Sequence, residues 1–175
     1  DSGDSILTGN SVCMDTYLKA TTRYNDFCKK NNYQTKIYFT TGPVDGGSNV
    51  GENGYQRQLK HEHIRKYVSL APDRILFDYA DILCWSNAGQ ENVTTWKDGA
   101  NITQTFQAIH PDNMLDLNET YTEDGDHIGQ KGALRLAKAM WWMLARMAGW
   151  NGIATGMESG LRKMPRQVPR LRRRR

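Results

Sequence analysis

"KIYFTTGPVDGGSNVGENGYQRQLKHEHIRKYVSLAPDRILFDYADILCW" spans residues 36–85 and decides the fold by its alternation of patterns. KIYFTT (36–41) predicts a strand because its centre is β-branched and aromatic, and a long glycine-rich turn (42–54) follows. Residues 55–70 have apolar side chains at helical spacing, which predicts a helix. RILFDYADILCW (74–85) then starts as a second strand. Its short apolar run without alternation is typical of a parallel strand buried on both faces.

The rest of the chain extends this alternation in both directions. Residues 1–11 predict a loop and residues 12–31 predict a helix. The last predicted helix, 130–148, is apolar almost all round, so we expect it to be packed into the core. Residues 86–123 show no sustained period, which is typical of a functional loop or a lid. This order of elements predicts an α/β fold with a parallel sheet flanked by helices on both faces.

The predicted elements form one domain over residues 1–150, followed by a basic tail over residues 151–175. Two strands are too few for a stable doubly wound sheet. A short strand within residues 1–8, or strands upstream of residue 1, would complete the sheet. We favour upstream strands, so that the domain is expected to be incomplete at its N-terminus.

Charge is divided unevenly between these two parts. Residues 160–175 hold eight bases and no acid, which leaves the rest with 15 bases against 19 acids, a net charge of −4. A basic segment that contains prolines is typical of a disordered tail. A charge run alone is a weak nucleic-acid motif, so we do not expect a nucleic-acid partner. The chain has no run of 18 apolar residues, so no membrane span is predicted.

The cysteines and two of the histidines are assigned no role. Cys13 and Cys28 lie on one predicted helix about 22 Å apart, which is too far for a disulfide at 1.5 Å per residue. Either of them could still pair with Cys84, so the disulfide state stays open. The sequence has no CxxC pair that would indicate structural zinc. His61 and His63 are expected on a partly exposed helix.

The segment YTEDGDHIGQKGALRLAKAMWW (121–142) places acids and a histidine immediately before the last helix. Ligands of parallel α/β sheets bind where strands end and loops enter the next helix. Asp124 and His127 are three residues apart with Gly125 between them, and a tight turn can aim the carboxylate at one ring nitrogen. A histidine oriented in this way is a general base for a serine hydroxyl. We therefore predict that Asp124 and His127 are catalytic.

DGDHIGQKGALRLA, which begins at residue 124, resembles the final block of the SGNH (GDSL-type) hydrolases, in which an Asp-x-x-His pair precedes the last helix. QRQLKHEHIRKYV and RILFDYADI resemble the helix and the strand before that block, so the likeness spans about residues 12–150. It fits best the secreted bacterial members whose last helix ends in a run similar to WWMLARMAGW (141–150). The resemblance implies a flavodoxin-like three-layer fold and a secreted or extracytoplasmic location.

In that family the nucleophilic serine lies in a Gly-Asp-Ser block, which GDSI at Gly3–Ile6 matches. The resemblance therefore implies that Ser5 is the nucleophile, with the following backbone N–H available for an oxyanion hole. An apolar strand precedes this block in the family, whereas only Asp1 and Ser2 precede it here. The alternative is that residues 1–11 are a loop lining the site and that the nucleophile lies upstream.

The resemblance implies a serine-type esterase that transfers an acyl group to water and needs no cofactor. Its expected substrates are small esters, including acetyl esters of carbohydrates. We expect Gly42, in the turn after the first strand, to help shape the substrate pocket. Trp85 and Trp96 are candidates for stacking on sugar rings, since exposed aromatic side chains often mark recognition surfaces.

Two alternative functions stay open. The glycine block and the Gly-x-Asn-Asp-type block of the family have no convincing match here. Their absence favours a catalytically inactive SGNH-fold domain that binds carbohydrate, or a fragment of a hydrolase. A metal-dependent hydrolase is the other alternative, since acids and histidines could supply mixed oxygen and nitrogen ligands. The candidate ligands are Asp124, Asp126 and His127, with His110 and Asp112.

Overall fold

A computed structural model describes residues 13–44, 51–115 and 128–152 of this chain. Within these ranges the predicted alternation of helices and strands is confirmed as a mixed α/β arrangement. The elements are α1 (Met14–Lys30), β1 (Phe39–Thr40), α2 (Glu52–Ser69), β2 (Leu76–Phe77), α3 (Tyr79–Cys84), β3 (Val93–Lys97), β4 (Thr103–Gln107), a 3-10 turn (Pro111–Asn113) and α4 (Gln130–Met147).

β1 and β2 pair in parallel, with Phe39 opposite Leu76, and α2 connects the two strands. The parallel pairing agrees with the prediction, but each strand is only two residues long. The segment 74–85 begins as the predicted strand and then turns into helix α3. It does so because the side chain of Asp78 caps that helix, accepting a hydrogen bond from the N–H of Asp81 at 3.2 Å.

Helices cover this strand pair from two sides. Phe39 lies in a buried cluster with Leu18 of α1 and with Ile64 and Val68 of α2. Successive side chains of a strand point to opposite faces. Accordingly, Thr40 lines a separate cavity of about 300 Å³ whose walls include α4 residues. The burial of Phe39 between two helices explains why this short strand pair is held in place.

The segment 86–123 was predicted as an irregular loop, and that prediction is wrong for residues 93–107. β3 and β4 form an antiparallel hairpin in which Trp96 lies opposite Gln104. Asp98 closes the turn between them, because its Oδ1 accepts hydrogen bonds from the N–H groups of Ala100 and Ile102, each at 2.9 Å. Each strand contains two threonines and one aromatic residue, which favour strands, but Val93 is the one aliphatic residue in the pair, so no aliphatic run marks them.

α4 begins and ends almost where predicted, but it is not buried all round. Gly132 and Met143 are buried, whereas Leu134, Trp141, Trp142 and Leu144 are exposed. The described fold covers one side of the helix, where it packs on α3 and the 3-10 turn. An apolar composition on every face therefore does not establish that a helix is central.

Several predictions concern parts of the chain outside the described residues. These are the loop at 1–11, the strands expected before or within it, and the basic tail from residue 153 onwards. Among the described residues, no helix combines the length and apolar character needed to cross a membrane. Cys13, Cys28 and Cys84 are buried, and none of them forms a disulfide.

Candidate functional site

The two parallel strands end at polar residues that bind each other. Thr41 follows β1 and Asp78 follows β2. The Thr41 hydroxyl donates a hydrogen bond to Asp78 Oδ1 at 2.9 Å and accepts one from the N–H of Ala80 at 2.9 Å. Thr41 is buried, so both hydroxyl interactions replace bonds to water. This contact fixes the relative positions of the strand ends and of the start of α3.

Arg65 of α2 holds the Asp78 carboxylate with two hydrogen bonds. Its Nε donates to Oδ2 at 2.7 Å and its Nη2 donates to Oδ1 at 2.9 Å. Burial alone would raise the pKa of Asp78, but the hydrogen bonds and the charge of Arg65 outweigh it, so the pKa is lowered. Arg65 also donates to Glu62 at 2.6 Å and to Gln107 of β4 at 2.8 Å. Both carboxylate oxygens of Asp78 therefore accept hydrogen bonds, which indicates a structural role. The contact between Arg65 and Asp78 is called the clamp below.

Gly42 borders a cleft of about 380 Å³ just beyond the end of β1. His61 of α2 forms part of the same lining, and a Cβ atom at Gly42 would lie 3.4 Å from its Nε2. Alanine would therefore only touch the ring, whereas a branched side chain at this position would fill the cleft. A small residue at position 42 keeps the cleft open beside His61.

His61 is buried, with 4% of its surface exposed, which contradicts the expected partly exposed position. Its Nδ1 has no hydrogen-bond partner among the described residues. Burial lowers the pKa of His61 to about 4, with the positive charge of Arg65 as the second cause. The imidazole is therefore neutral at pH 7 and presents an unsatisfied polar atom inside the fold.

The lowered pKa of His61 predicts a loss of stability in acid. The ordinary histidine pKa is 6.5, whereas folded His61 takes up its proton only near pH 4. Between these values the unfolded chain binds more protons than the folded chain, so the free energy of unfolding falls as the pH falls. We expect His61 to account for about 2 kcal/mol of lost stability between pH 7 and pH 5.

Urea unfolding of the wild type and of His61→Met across this pH range measures that contribution. The difference between their free energies of unfolding should change by about 2 kcal/mol, because methionine does not titrate. Gln58 lines the same small cavity as His61. Gln58→Met alters that cavity without removing a titratable group and should keep the wild-type pH dependence. Equal pH dependence of His61→Met and the wild type would sink the interpretation of a neutral, buried imidazole.

Four residues next to undescribed segments lie in or against the two buried parts of the fold beyond these strand ends. Met14 lines the Gly42 cleft. Val44 belongs to the buried cluster of Ala80, Leu83 and Ile109. Met114 and Ile128, on either side of segment 116–127, pack against that cluster and pair with each other in an isolated antiparallel bridge. Segment 116–127 therefore leaves and rejoins the described fold at one place, the bridge between Met114 and Ile128.

Asn113 anchors the start of α4 in this region. Its buried side-chain amide donates hydrogen bonds to the carbonyl oxygens of Leu83 at 2.8 Å and Trp85 at 3.0 Å. The N–H of Gly129 donates to the carbonyl oxygen of Asn113 at 3.0 Å. A Cβ atom on Gly129 or Gly132 would overlap the backbone of residues 113–114. Glycine is needed here for a close approach, which fixes where segment 116–127 rejoins the fold.

The predicted site residues fall into two groups. Ser5, Asp124 and His127 lie outside the described residues. Gly42 lines the cleft beside His61. Trp85 is half-buried, and its indole N–H donates to Asp81 Oδ1 at 3.1 Å. Trp96 packs against Tyr55 with ring centroids 5.8 Å apart, so that this side chain attaches the hairpin to α2.

The described residues contain no group of three or more metal-ligating side chains. His110 and Asp112, two of the predicted metal ligands, form a local turn in which His110 Nδ1 accepts a hydrogen bond from the N–H of Asp112 at 3.1 Å. The nearest approach of the two side chains, between His110 Nδ1 and Asp112 Oδ2, is 3.7 Å. The other candidate ligands, Asp124, Asp126 and His127, lie outside the described residues.

Sequence reasoning missed the residues that organise this region, namely His61, Arg65 and Asp78. His61, Ile64 and Val68 are all buried, at a spacing of three and then four residues along α2. That spacing is a helical signal for a buried face, whereas both His61 and His63 were expected on a partly exposed helix. The position of Asp78 in the sequence was a second signal of its importance. A carboxylate directly after a buried strand lies at the ligand-binding end of a parallel sheet.

Comparisons with protein-family models, curated proteins and solved structures found no match to this chain.

Proposed function

We propose that this chain is a serine-type esterase of the SGNH kind, with its active site at the carboxyl ends of β1 and β2. The observation that carries the proposal is that the borders of the undescribed segments lie close to residues that follow β1 and β2. Met14 lines the cleft beyond β1. Met114 and Ile128 pack against a cluster that contains Val44 and Ala80, which follow β1 and β2 by a few residues. The segments that hold Ser5 and the Asp124–His127 pair join the described fold next to Met14 and at Ile128. Parallel α/β sheets bind their ligands at this end.

In the proposed reaction, His127 takes the proton of the Ser5 hydroxyl as the oxygen attacks the ester carbonyl. The tetrahedral intermediate collapses to an acyl-serine, and the departing alcohol receives the proton from His127. Water then repeats the sequence, releasing the acid and restoring the serine. Asp124 holds the histidine tautomer and stabilises the imidazolium. The cleft beside Gly42 is the proposed place for one end of the ester.

The buried thiol of Cys84 is not a competing nucleophile in this proposal. Burial raises its pKa to about 12, and the carboxylates of Asp81 and Glu91 act in the same direction. The thiol is therefore protonated at neutral pH, and a protonated thiol is a poor nucleophile. The proposed nucleophile is the Ser5 hydroxyl of the Gly-Asp-Ser block.

Hydrolysis of p-nitrophenyl acetate by the full chain in the presence of EDTA tests the proposal. A fluorophosphonate probe, which phosphonylates activated serines, should label the chain at one site and block the activity. Peptide mass spectrometry then locates the label, which we expect on Ser5. A single labelled serine would distinguish a catalytic residue from nonspecific reaction of the probe at the protein surface.

Each other outcome has a separate meaning. Hydrolysis that is present without EDTA and absent with it would favour the metal-dependent hydrolase. A folded chain without activity or labelling would contradict an independent esterase and would favour an inactive carbohydrate-binding domain or a fragment whose nucleophile lies upstream. Labelling of a serine other than Ser5 would keep the esterase and reject the assignment of its nucleophile.

A further inference from the structure

A second, larger cleft of about 730 Å³ lies between α3 and the first half of α4. Its volume is within the range of roughly 300–1,000 Å³ that is typical of small-molecule sites. One wall contains Asp81 and Trp85, with Asn87 in the turn that follows α3. The other wall is the face of α4 that carries Lys131, Arg135 and Lys138. Neither the clamp around Asp78 nor the cleft beside Gly42 uses these residues.

The charge of this cleft is opposite to that of the chain body. Lys131, Arg135 and Lys138 follow each other at spacings of four and three residues, so they lie on one face of α4. Asp81 is the one acid among the described lining residues, which leaves the cleft with two excess positive charges. Without its basic tail the chain carries a net charge of −4. A positive cleft in an acidic body indicates an anionic ligand.

Three side chains of the cleft are already held in place by hydrogen bonds: Arg135, Asn87 and Trp85. Arg135 is half-buried, and its Nη1 donates to Asn87 Oδ1 at 3.0 Å across the two walls. The indole of Trp85 is fixed by its hydrogen bond to Asp81 at 3.1 Å. A ligand that uses these side chains would lose little affinity to ordering them.

We propose that this cleft binds an acidic saccharide, with a sugar ring against Trp85 and its carboxylate at Arg135 and Lys138. An aromatic ring offers an apolar surface to the C–H face of a sugar. The guanidinium provides the paired donors that match a carboxylate, and the lysines add charge. The carboxamide of Asn87 can bond sugar hydroxyls. A simple inorganic anion would not use the tryptophan, which is why a saccharide is the better fit.

Isothermal titration calorimetry of the full chain with trigalacturonate at physiological ionic strength tests the proposal. The double substitution Arg135→Gln and Lys138→Gln should weaken binding at least about tenfold, since hydrogen bonds to charged groups are lost. Arg23→Gln with Lys30→Gln removes the same charges from exposed positions of α1 and is the matched control, which should bind as the wild type does. Maltotriose, a neutral trisaccharide, should bind at least about tenfold more weakly than trigalacturonate.

The possible failures are distinct from those of the proposed esterase, because trigalacturonate contains no ester. An undetectable interaction with trigalacturonate would overturn the saccharide site. If both double substitutions weaken binding equally, or if neither weakens it, the binding would be due to general charge attraction, including that of the basic tail. If sodium sulfate at the same concentration as trigalacturonate prevents its binding, the cleft would be an anion site that does not recognise saccharides.

Discussion

Ser5→Ala and His127→Ala are each expected to lower kcat for p-nitrophenyl acetate by at least about 10³-fold. The serine oxygen forms the acyl intermediate, and without His127 no base removes its proton at neutral pH. Because both residues act in the same step, the double substitution should cost little more than either single one. Stopped-flow and steady-state assays in EDTA, with far-UV circular dichroism to confirm folding, provide the measurement.

The acids of segment 116–127 supply the matched control for this prediction. Asp124→Asn should also lower kcat strongly, because an amide cannot hold the imidazole in the required tautomer. Asp126→Asn makes the same chemical change two residues away and should leave kcat within about twofold. Similar losses for both substitutions would contradict a triad in which Asp124 alone orients the histidine.

Arg65→Met is expected to lower the free energy of unfolding by about 3 kcal/mol at pH 7. The substitution removes both hydrogen bonds to Asp78 and leaves a largely buried carboxylate without a cation. It also removes the link to Gln107, which connects α2 to the hairpin. Urea unfolding followed by circular dichroism measures the change.

Two further variants separate the clamp from ordinary surface pairing. Glu62, the other acidic partner of Arg65, is more exposed, so Glu62→Gln should cost less than about 1 kcal/mol. Adding Asp78→Asn to Arg65→Met should recover part of the lost stability, because the uncompensated charge disappears. A loss below about 1 kcal/mol for Arg65→Met, or no recovery in the double variant, would refute the clamp.

The long helices were the most predictable part of the fold. The first was predicted over 12–31 and lies at Met14–Lys30, and the last was predicted over 130–148 and lies at Gln130–Met147. Helical periodicity and end signals are local properties, and they depend little on the rest of the chain. The hairpin was missed because its strands pair with each other at the surface and contain few aliphatic residues.

The site was predicted less completely than the fold. Ser5, Asp124 and His127 were selected by motif, and their roles stay predictions that the proposed variants test. The neutral state of His61 was not predictable, because it depends on burial and on the charge of Arg65. Trp85 was selected as an exposed aromatic, but its companions across the cleft come from a helix more than 40 residues later in the chain.

The sequence by itself determined the three long helices, the parallel strand pair and the positions of the chemical motifs, but not α3 or the β3–β4 hairpin. These features arise from periodicity, capping and turn residues, which act over a few neighbouring positions. The tertiary structure alone decided which polar groups meet, as in the Arg65–Asp78 clamp and in the cleft that joins Trp85 to Arg135. Such contacts depend on burial and on packing between distant segments, which local sequence patterns do not predict.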